Sequence, residues 1–273
     1  MHPILFHVGS FTLKAFGLMM ALGFITAWLA AVRLARGTHR NADYIATLTV
    51  WMMVAGVLGA RLAYVAEHWS AEFACQPAAI IRIDQGGLMF YGGVIGAALA
   101  LLLFVRLRHE RFLEVSDLLL AVLPLGHAFG RLGCFLNGCC HGRPSESFLA
   151  VSFPAHSPAW YVQCENGLIL HTAARSLPVL PTQLFESAAN LLLFVALFCL
   201  YRRVSHRRGL VTAAYFMSYA VVRFLIEPLR GDQRMLVGVW SIGQTISIAL
   251  FAAGAVLAIW RLRTPAVPAN RAS

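Results

Sequence analysis

Long apolar runs alternate with short polar breaks along almost the whole chain, and the spacing of the breaks suits membrane helices. A span needs roughly 20 mainly apolar residues. Seven runs reach that length, at about 15–35, 43–66, 88–107, 113–133, 181–201, 210–228 and 239–262. The pattern predicts an all-α, polytopic membrane protein, a single membrane domain over residues 1–273 without a linker or an internal repeat. The longest stretch between spans, about 134–180, includes FPAHSPAWYVQCENG. Its aromatics and prolines fit a small head or lid on the outer leaflet and fit a plain connector equally well.

Composition supports the membrane reading. The 273 residues are 59% hydrophobic and 12% charged, with a mean hydropathy of +0.69, whereas soluble domains carry about 25% charged residues. A net charge of +10 would suggest nucleic acid in a soluble protein, but here the positions of the charges exclude that partner. All but Lys14 of the 22 basic residues are arginine. They gather after alternate spans, in RLARGTHR, RLRHER, YRRVSHRR and RLR. The positive-inside rule makes those segments cytoplasmic, so the N-terminus is expected outside and the C-terminus inside. The opening MHPILFHVGSF has no basic n-region and no small-residue cleavage site, so no cleavable signal peptide is expected. Cys199 lies in an apolar run and reads as a small core residue, while Cys75 and Cys164 fall in polar segments where a disulfide is possible.

Neither orientation nor cytoplasmic charge explains Lys14, Arg61, Arg82, Arg131, Arg143, Arg175, Arg223, Arg230 and Arg234. An arginine near the bilayer centre costs roughly 2.5–3.5 kcal/mol on insertion scales, so it needs a partner or a function. In SYAVVRFLIEPLRGDQR, Tyr219, Arg223 and Glu227 follow i, i+4, i+8, and Arg230 comes three later, so all four can share a helical face. Pro228 should end or kink that helix and turn Arg230 aside. A structural ion pair between Arg223 and Glu227 accounts for part of this. It leaves Arg131, Arg143 and Arg230 with only Glu186, Glu146 and Asp232 nearby in sequence. A surplus of arginines at headgroup depth points to an anionic ligand, and guanidinium holds phosphate through bidentate hydrogen bonds.

Two glycine-bearing stretches add to the picture. In DQGGLMFYGGVIGA, residues 84–97, Gly92 and Gly96 permit close helix packing, and a loop entering the membrane with Tyr91 lining a cavity is the alternative. In GRLGCFLNGCCHGR, residues 130–143, Gly130, Gly133, Gly138 and Gly142 allow tight turns and Asn137 offers donors and an acceptor. His127 and His141 are potential bases, or simply hydrogen-bonded polar groups. Cys134, Cys139 and Cys140 read as a disulfide or plain packing; no second Cys or His pair at zinc spacing follows, so no metal is expected.

At these residues the sequence resembles the prolipoprotein diacylglyceryl transferases of bacterial inner membranes. The resemblance runs in order through FGLMMALGF, GARLAYV, DQGGLMFYGGVIG, VSDLLL, GRLG…FLNG…GR, LPTQLFES, YAVVRFLIEPLRGDQR and SIGQTISI. It implies seven spans with an outside N-terminus and an active site toward the periplasmic leaflet. It also implies transfer of the diacylglyceryl group of phosphatidylglycerol to the lipobox cysteine thiol of preprolipoproteins, with release of glycerol phosphate and no cofactor. By motif position Arg131, Asn137, Gly142 and Arg143, then Tyr219, Arg223, Glu227 and Arg230, match the family. Arg131 and Arg223 are the expected phosphate contacts, Arg230 and Arg143 lie near the headgroup or gate, and Arg61, Gln183, Glu186 and Gln244 supply supporting polar contacts.

The chain departs from the family pattern at four positions. The family often has histidine at Tyr91 and tyrosine at Phe16, usually asparagine at Cys134 and commonly glutamate at Cys139. Without that histidine, the thiol proton goes to Tyr91, to Glu227, or to water under the field of the arginines, and the last is favoured. The cysteines suggest a subfamily or a paralogue with altered preference. Two other classes compete: an anionic-phospholipid-binding or transport protein, and a membrane thiol-redox protein. The absence of an internal repeat weighs against transport, and the absence of a C-x-x-C pair against redox work.

Overall fold

The computed structural model describes residues 4–8, 11–36, 38–74, 76–82, 86–204, 207–231, 236–237 and 239–264. Its helices are α1 (Ala15–Ala35), α2 (Ala42–Glu67), α3 (Phe90–Leu107), α4 (Phe112–Asn137), the short α5 (Pro158–Glu165), α6 (Thr182–Val204), α7 (Leu210–Ile226) and α8 (Ile242–Arg263). Among the described residues seven of these, all but α5, are long and apolar enough to cross a membrane. A 3₁₀ turn, Glu227–Leu229, extends α7. Strands β1 (Ile4–Val8) and β2 (Phe11–Lys14) form one antiparallel hairpin, and β3 (Leu236–Val237) and β4 (Trp240–Ser241) another. The all-α expectation holds apart from these two hairpins, whose short strands carry too few residues for a period to show.

Two compact units emerge, Ala35–Val115 on one hand and Met1–Leu34 with Ser116–Ser273 on the other. In the first, α2 and α3 pack through their glycines. A Cβ on Gly59 would collide with the Gly92 carbonyl, and one on Gly96 with the Ala55 carbonyl. Gly92 and Gly96 therefore serve close packing inside a continuous helix, and Asp84 and Gln85 lie outside the described residues. At one end of this unit Arg40 pairs with Glu110 at 2.6 Å and with Glu114 at 2.8 Å.

In the second unit the buried Asp117 of α4 receives the backbone N–H of Gly209 at 2.5 Å and both the N–H and hydroxyl of Thr212 at 2.7 Å. These bonds satisfy donors that the first turn of α7 leaves open. α4 continues to Asn137, so Gly130 and Gly133, expected to turn the chain, are helical. Gly138, at φ +79°, ends the helix: its N–H and that of Cys139 both close on the Cys134 carbonyl, at 2.9 and 3.1 Å.

The segment between α4 and α6 folds as a small head with its own core of Phe153, Ala159 and Val179 against Phe135. The Trp160 indole donates to the Ala173 carbonyl at 2.7 Å, and Gln163 Oε1 accepts the Leu177 N–H at 2.7 Å. Cys164 in α5 is a free, buried thiol. Its conceivable partner Cys75 lies outside the described residues. Cys199, expected in the core, is exposed on α6, because its run faces outward rather than into the unit.

Candidate active site

α4, α6 and α7 with its 3₁₀ extension bring charged side chains together within the second unit. Glu186 stands in the first turn and a half of α6 and is 3% exposed. Its Oε2 lies 2.5 Å from Arg131 Nε of α4, and its Oε1 lies 3.3 Å from Arg223 Nη1 of α7 and 3.5 Å from Arg230 Nη1. Arg223 also reaches Glu227 Oε2 at 2.6 Å through its other terminal nitrogen. Among the described residues, three guanidinium groups thus converge on two carboxylates.

The local reasons for this convergence are clear. The i, i+4 spacing puts Arg223 and Glu227 on one face, and Pro228 stops the α-helix, so the chain leaves as a 3₁₀ turn with Arg230 extended at φ −71°, ψ 147°. Glu227 is fixed from its other side by the Ser241 hydroxyl, which donates to Oε1 at 2.8 Å. Ser241 is itself the N-cap of α8 in a capping box with Gln244. Gln244 therefore supports the site through the cap. Arg131 Nε also donates to His127 Nε2 at 3.2 Å. Tyr219 packs face to face with Tyr215 at 5.5 Å and against His127 at 5.6 Å, lining the same arginines.

The signature loop is threaded tightly past this cluster. Gly142 donates its N–H to the Leu180 carbonyl at 2.8 Å and Arg143 donates to the Leu229 carbonyl at 2.9 Å, while Gly231 donates to His141 at 3.0 Å. A Cβ on Gly142 would lie 2.6 Å from the Leu180 oxygen and 2.8 Å from that of Leu229. Thr182 Oγ1 and Gln183 Nε2, at the start of α6, donate to the carbonyls of Cys140 and Cys139 at 3.0 and 2.8 Å. Gln183 thus anchors the loop. Asn137 ends α4. Arg143 is exposed and makes no ion pair among the described residues.

Arg61 and Tyr91 belong to the other unit. Arg61 spends its donors on the carbonyls of Ala79, Ile80, Gly86 and Gly87, at 2.7 to 3.0 Å, and lies over the rings of Tyr64 and Phe73. It is a staple for the segment between α2 and α3. Tyr91 stands in the first turn of α3, 55% exposed, against Phe90. The residue that sequence reasoning undervalued is Glu186. It reads there as a supporting contact, and it is the hub.

Helices of spanning length around a buried arginine–glutamate cluster define an integral membrane protein with a buried polar site. Comparison with known proteins narrows the class. The chain belongs to the prolipoprotein diacylglyceryl transferase family, which it matches over residues 3–260. It is 33% identical over 264 residues to a phosphatidylglycerol–prolipoprotein diacylglyceryl transferase of Synechococcus elongatus, covering 94% of this chain and 86% of the relative. A second such transferase of Clostridium perfringens is 33% identical over 260 residues, 94% of each chain. One of Escherichia coli O1:K1 is 30% identical over 277 residues, 96% of this chain and 93% of the relative. The chain is therefore a multi-pass membrane protein of a bacterial transferase family.

Proposed function

We propose that this protein transfers the diacylglyceryl group of phosphatidylglycerol to the lipobox cysteine thiol of a preprolipoprotein signal peptide and releases glycerol phosphate. The convergence of Arg131, Arg223 and Arg230 on Glu186 carries this reading, in a chain of that family. The lipid's phosphodiester brings one negative charge to these guanidinium groups. When the carbon–oxygen bond breaks, the electron pair stays on the phosphate oxygen and a second charge develops there. Guanidinium groups already held in place by Glu186 and Glu227 stabilise that charge without reorganising. Arg131 and Arg223 are the phosphate contacts in this scheme, and Arg230 and the exposed Arg143 border the headgroup. The sulfur attacks as thiolate; its proton leaves to water under the positive field, with Glu227 as the other acceptor within this unit.

The arginine-rich segments after alternate spans orient the protein in the inner membrane with the N-terminus, the head and the arginine cluster on the periplasmic side. Residues 1–273 then act as one membrane domain, in contact with membrane lipids. The test is mass spectrometry of the purified protein with phosphatidylglycerol and a lipobox peptide. A diacylglyceryl thioether on the peptide cysteine is the expected product. Phosphatidylglycerol held tightly with no thioether formed would make this a lipid-binding protein instead.

A further inference from the structure

The transfer scheme leaves three thiols without a part. The Sγ atoms of Cys134, Cys139 and Cys140 all lie within 4.8 Å of one another, and all three thiols are free and half-buried. Nothing in their spacing forces this; the backbone does. Cys134 is in the last turn of α4, and the left-handed Gly138 turns the chain back on itself. Cys140 is held at φ +58°, a conformation that few non-glycine residues adopt. The same loop is pinned to α6 through the Thr182 and Gln183 hydrogen bonds to its carbonyls. Such a fixed backbone, strained at the residue that completes the cluster, is typical of a functional site.

Three thiolates at about 2.3 Å from a tetrahedral zinc stand about 3.8 Å apart, so side-chain shifts on the order of 1 Å close this group around one ion. No carboxylate or imidazole completes the group among the described residues. His141 follows directly in the chain, its Nδ1 held by the Gly142 carbonyl at 2.9 Å, and it is not part of the group. Three protein ligands and an open fourth position are the arrangement of catalytic rather than structural zinc. Zinc with three thiolates carries a net negative charge.

We propose that Cys134, Cys139 and Cys140 bind a zinc ion whose open position takes the lipobox cysteine of the substrate as its thiolate. The role rests on the transferase reading above. On binding, the substrate thiol gives its proton to water and its sulfur bonds to zinc. The sulfur then bonds to the glyceryl carbon as the carbon–oxygen bond to phosphate breaks, and the electron pair departs on glycerol phosphate. The resulting thioether, neutral and a weaker ligand, leaves the metal. No electron is gained or lost, which suits an ion without redox chemistry. Cys134 follows Arg131 by three residues on the same helix, so the nucleophile is delivered beside the groups that hold the leaving phosphate.

Cobalt(II) is the probe, because its thiolate complexes absorb where zinc complexes do not. Purified full-length protein in phosphatidylglycerol micelles should bind about one cobalt per chain with a thiolate charge-transfer band. The band should vanish in a Cys134→Ser, Cys139→Ser, Cys140→Ser triple variant, fall in Cys140→Ser alone, and persist in Cys199→Ser. A lipobox peptide should strengthen it as a fourth thiolate joins, and the same peptide with serine for cysteine should not. Absence of the band in native protein, or recovery of two of the three thiols as a disulfide, overturns the site. A triple variant that melts normally and still forms thioether overturns the role and leaves the transferase reading standing. A cobalt band that answers to the peptide while zinc-loaded native protein forms no thioether supports the site and removes the transferase reading instead.

Discussion

Glu186 of α6 and Arg131 of α4 meet at 2.5 Å, and the same carboxylate also faces Arg223 and Arg230. One buried acid thus orients cations contributed by three stretches of the chain. It also competes with any incoming phosphate for the same guanidinium groups. In the transfer scheme proposed above, lipid binding at this cluster redistributes contacts that already exist.

Glu186→Gln tests that competition. Among the described residues the substitution removes the carboxylate that Arg131, Arg223 and Arg230 share, and losing one partner of a buried ion pair costs about 3–5 kcal/mol. Thermal melts in detergent should show a large fall in Tm in zwitterionic micelles and partial recovery in phosphatidylglycerol, whose phosphate replaces the missing charge. An equal fall in both lipids would count against an anion site here.

Arg131→Lys and Arg223→Lys keep the charge and lose the planar fork. Each should lower the rate of thioether formation by about 100-fold, the cost of removing one preorganised donor from a developing oxyanion. Binding of phosphatidylglycerol, read by co-purified lipid, should weaken far less. Variants that lose lipid and rate in equal proportion would assign the arginines to binding alone.

The spans were legible because an apolar run of helix length has no soluble alternative, and Arg223, Glu227 and Arg230 because helical spacing puts them on one face. Glu186 was legible as a supporting contact but not as the shared partner of three arginines, since it precedes Arg223 by 37 residues and no period links them. The fate of Arg61 was equally hidden: its partners are carbonyls, which every residue carries and no sequence can flag. The thiol cluster depends on where α4 stops. A glycine-rich signature suggested turns throughout, yet two of its glycines are helical and only Gly138 folds Cys139 and Cys140 back toward Cys134.

Gly142→Ala should separate architecture from chemistry at the signature loop. The added Cβ would press on the carbonyl oxygens of Leu180 and Leu229, at 2.6 and 2.8 Å, and both are backbone atoms with little freedom to move. Overpacking of this kind costs about 1–3 kcal/mol, and displacing the loop also shifts Arg143, Arg230 and the cysteines it anchors. The expected result is a lowered Tm together with loss of transfer, measured on the same preparation. A variant with native Tm and native rate would mean that the loop yields there without consequence.

Acid should weaken the α2–α3 unit through Glu110. Burial alone would raise the pKa of this carboxyl, but the hydrogen bonds with His39 and Arg40 outweigh burial and hold it below its ordinary value of 4.5. Arg40 is desolvated, yet its bonds to Glu114 and Glu110 raise its pKa further, so it stays charged throughout the acid range. Because the folded-state value of Glu110 is depressed, its contribution is complete above the unfolded-state pKa and fades as pH falls through the lower folded-state value. Melting curves from pH 7 downward should therefore show Tm falling more steeply below about pH 4.5 in the native protein than in Glu110→Gln, which starts lower at pH 7 and lacks this titration. If the two profiles run parallel through the acid limb, the stabilising charge lies elsewhere, with Glu114 the remaining carboxylate on Arg40.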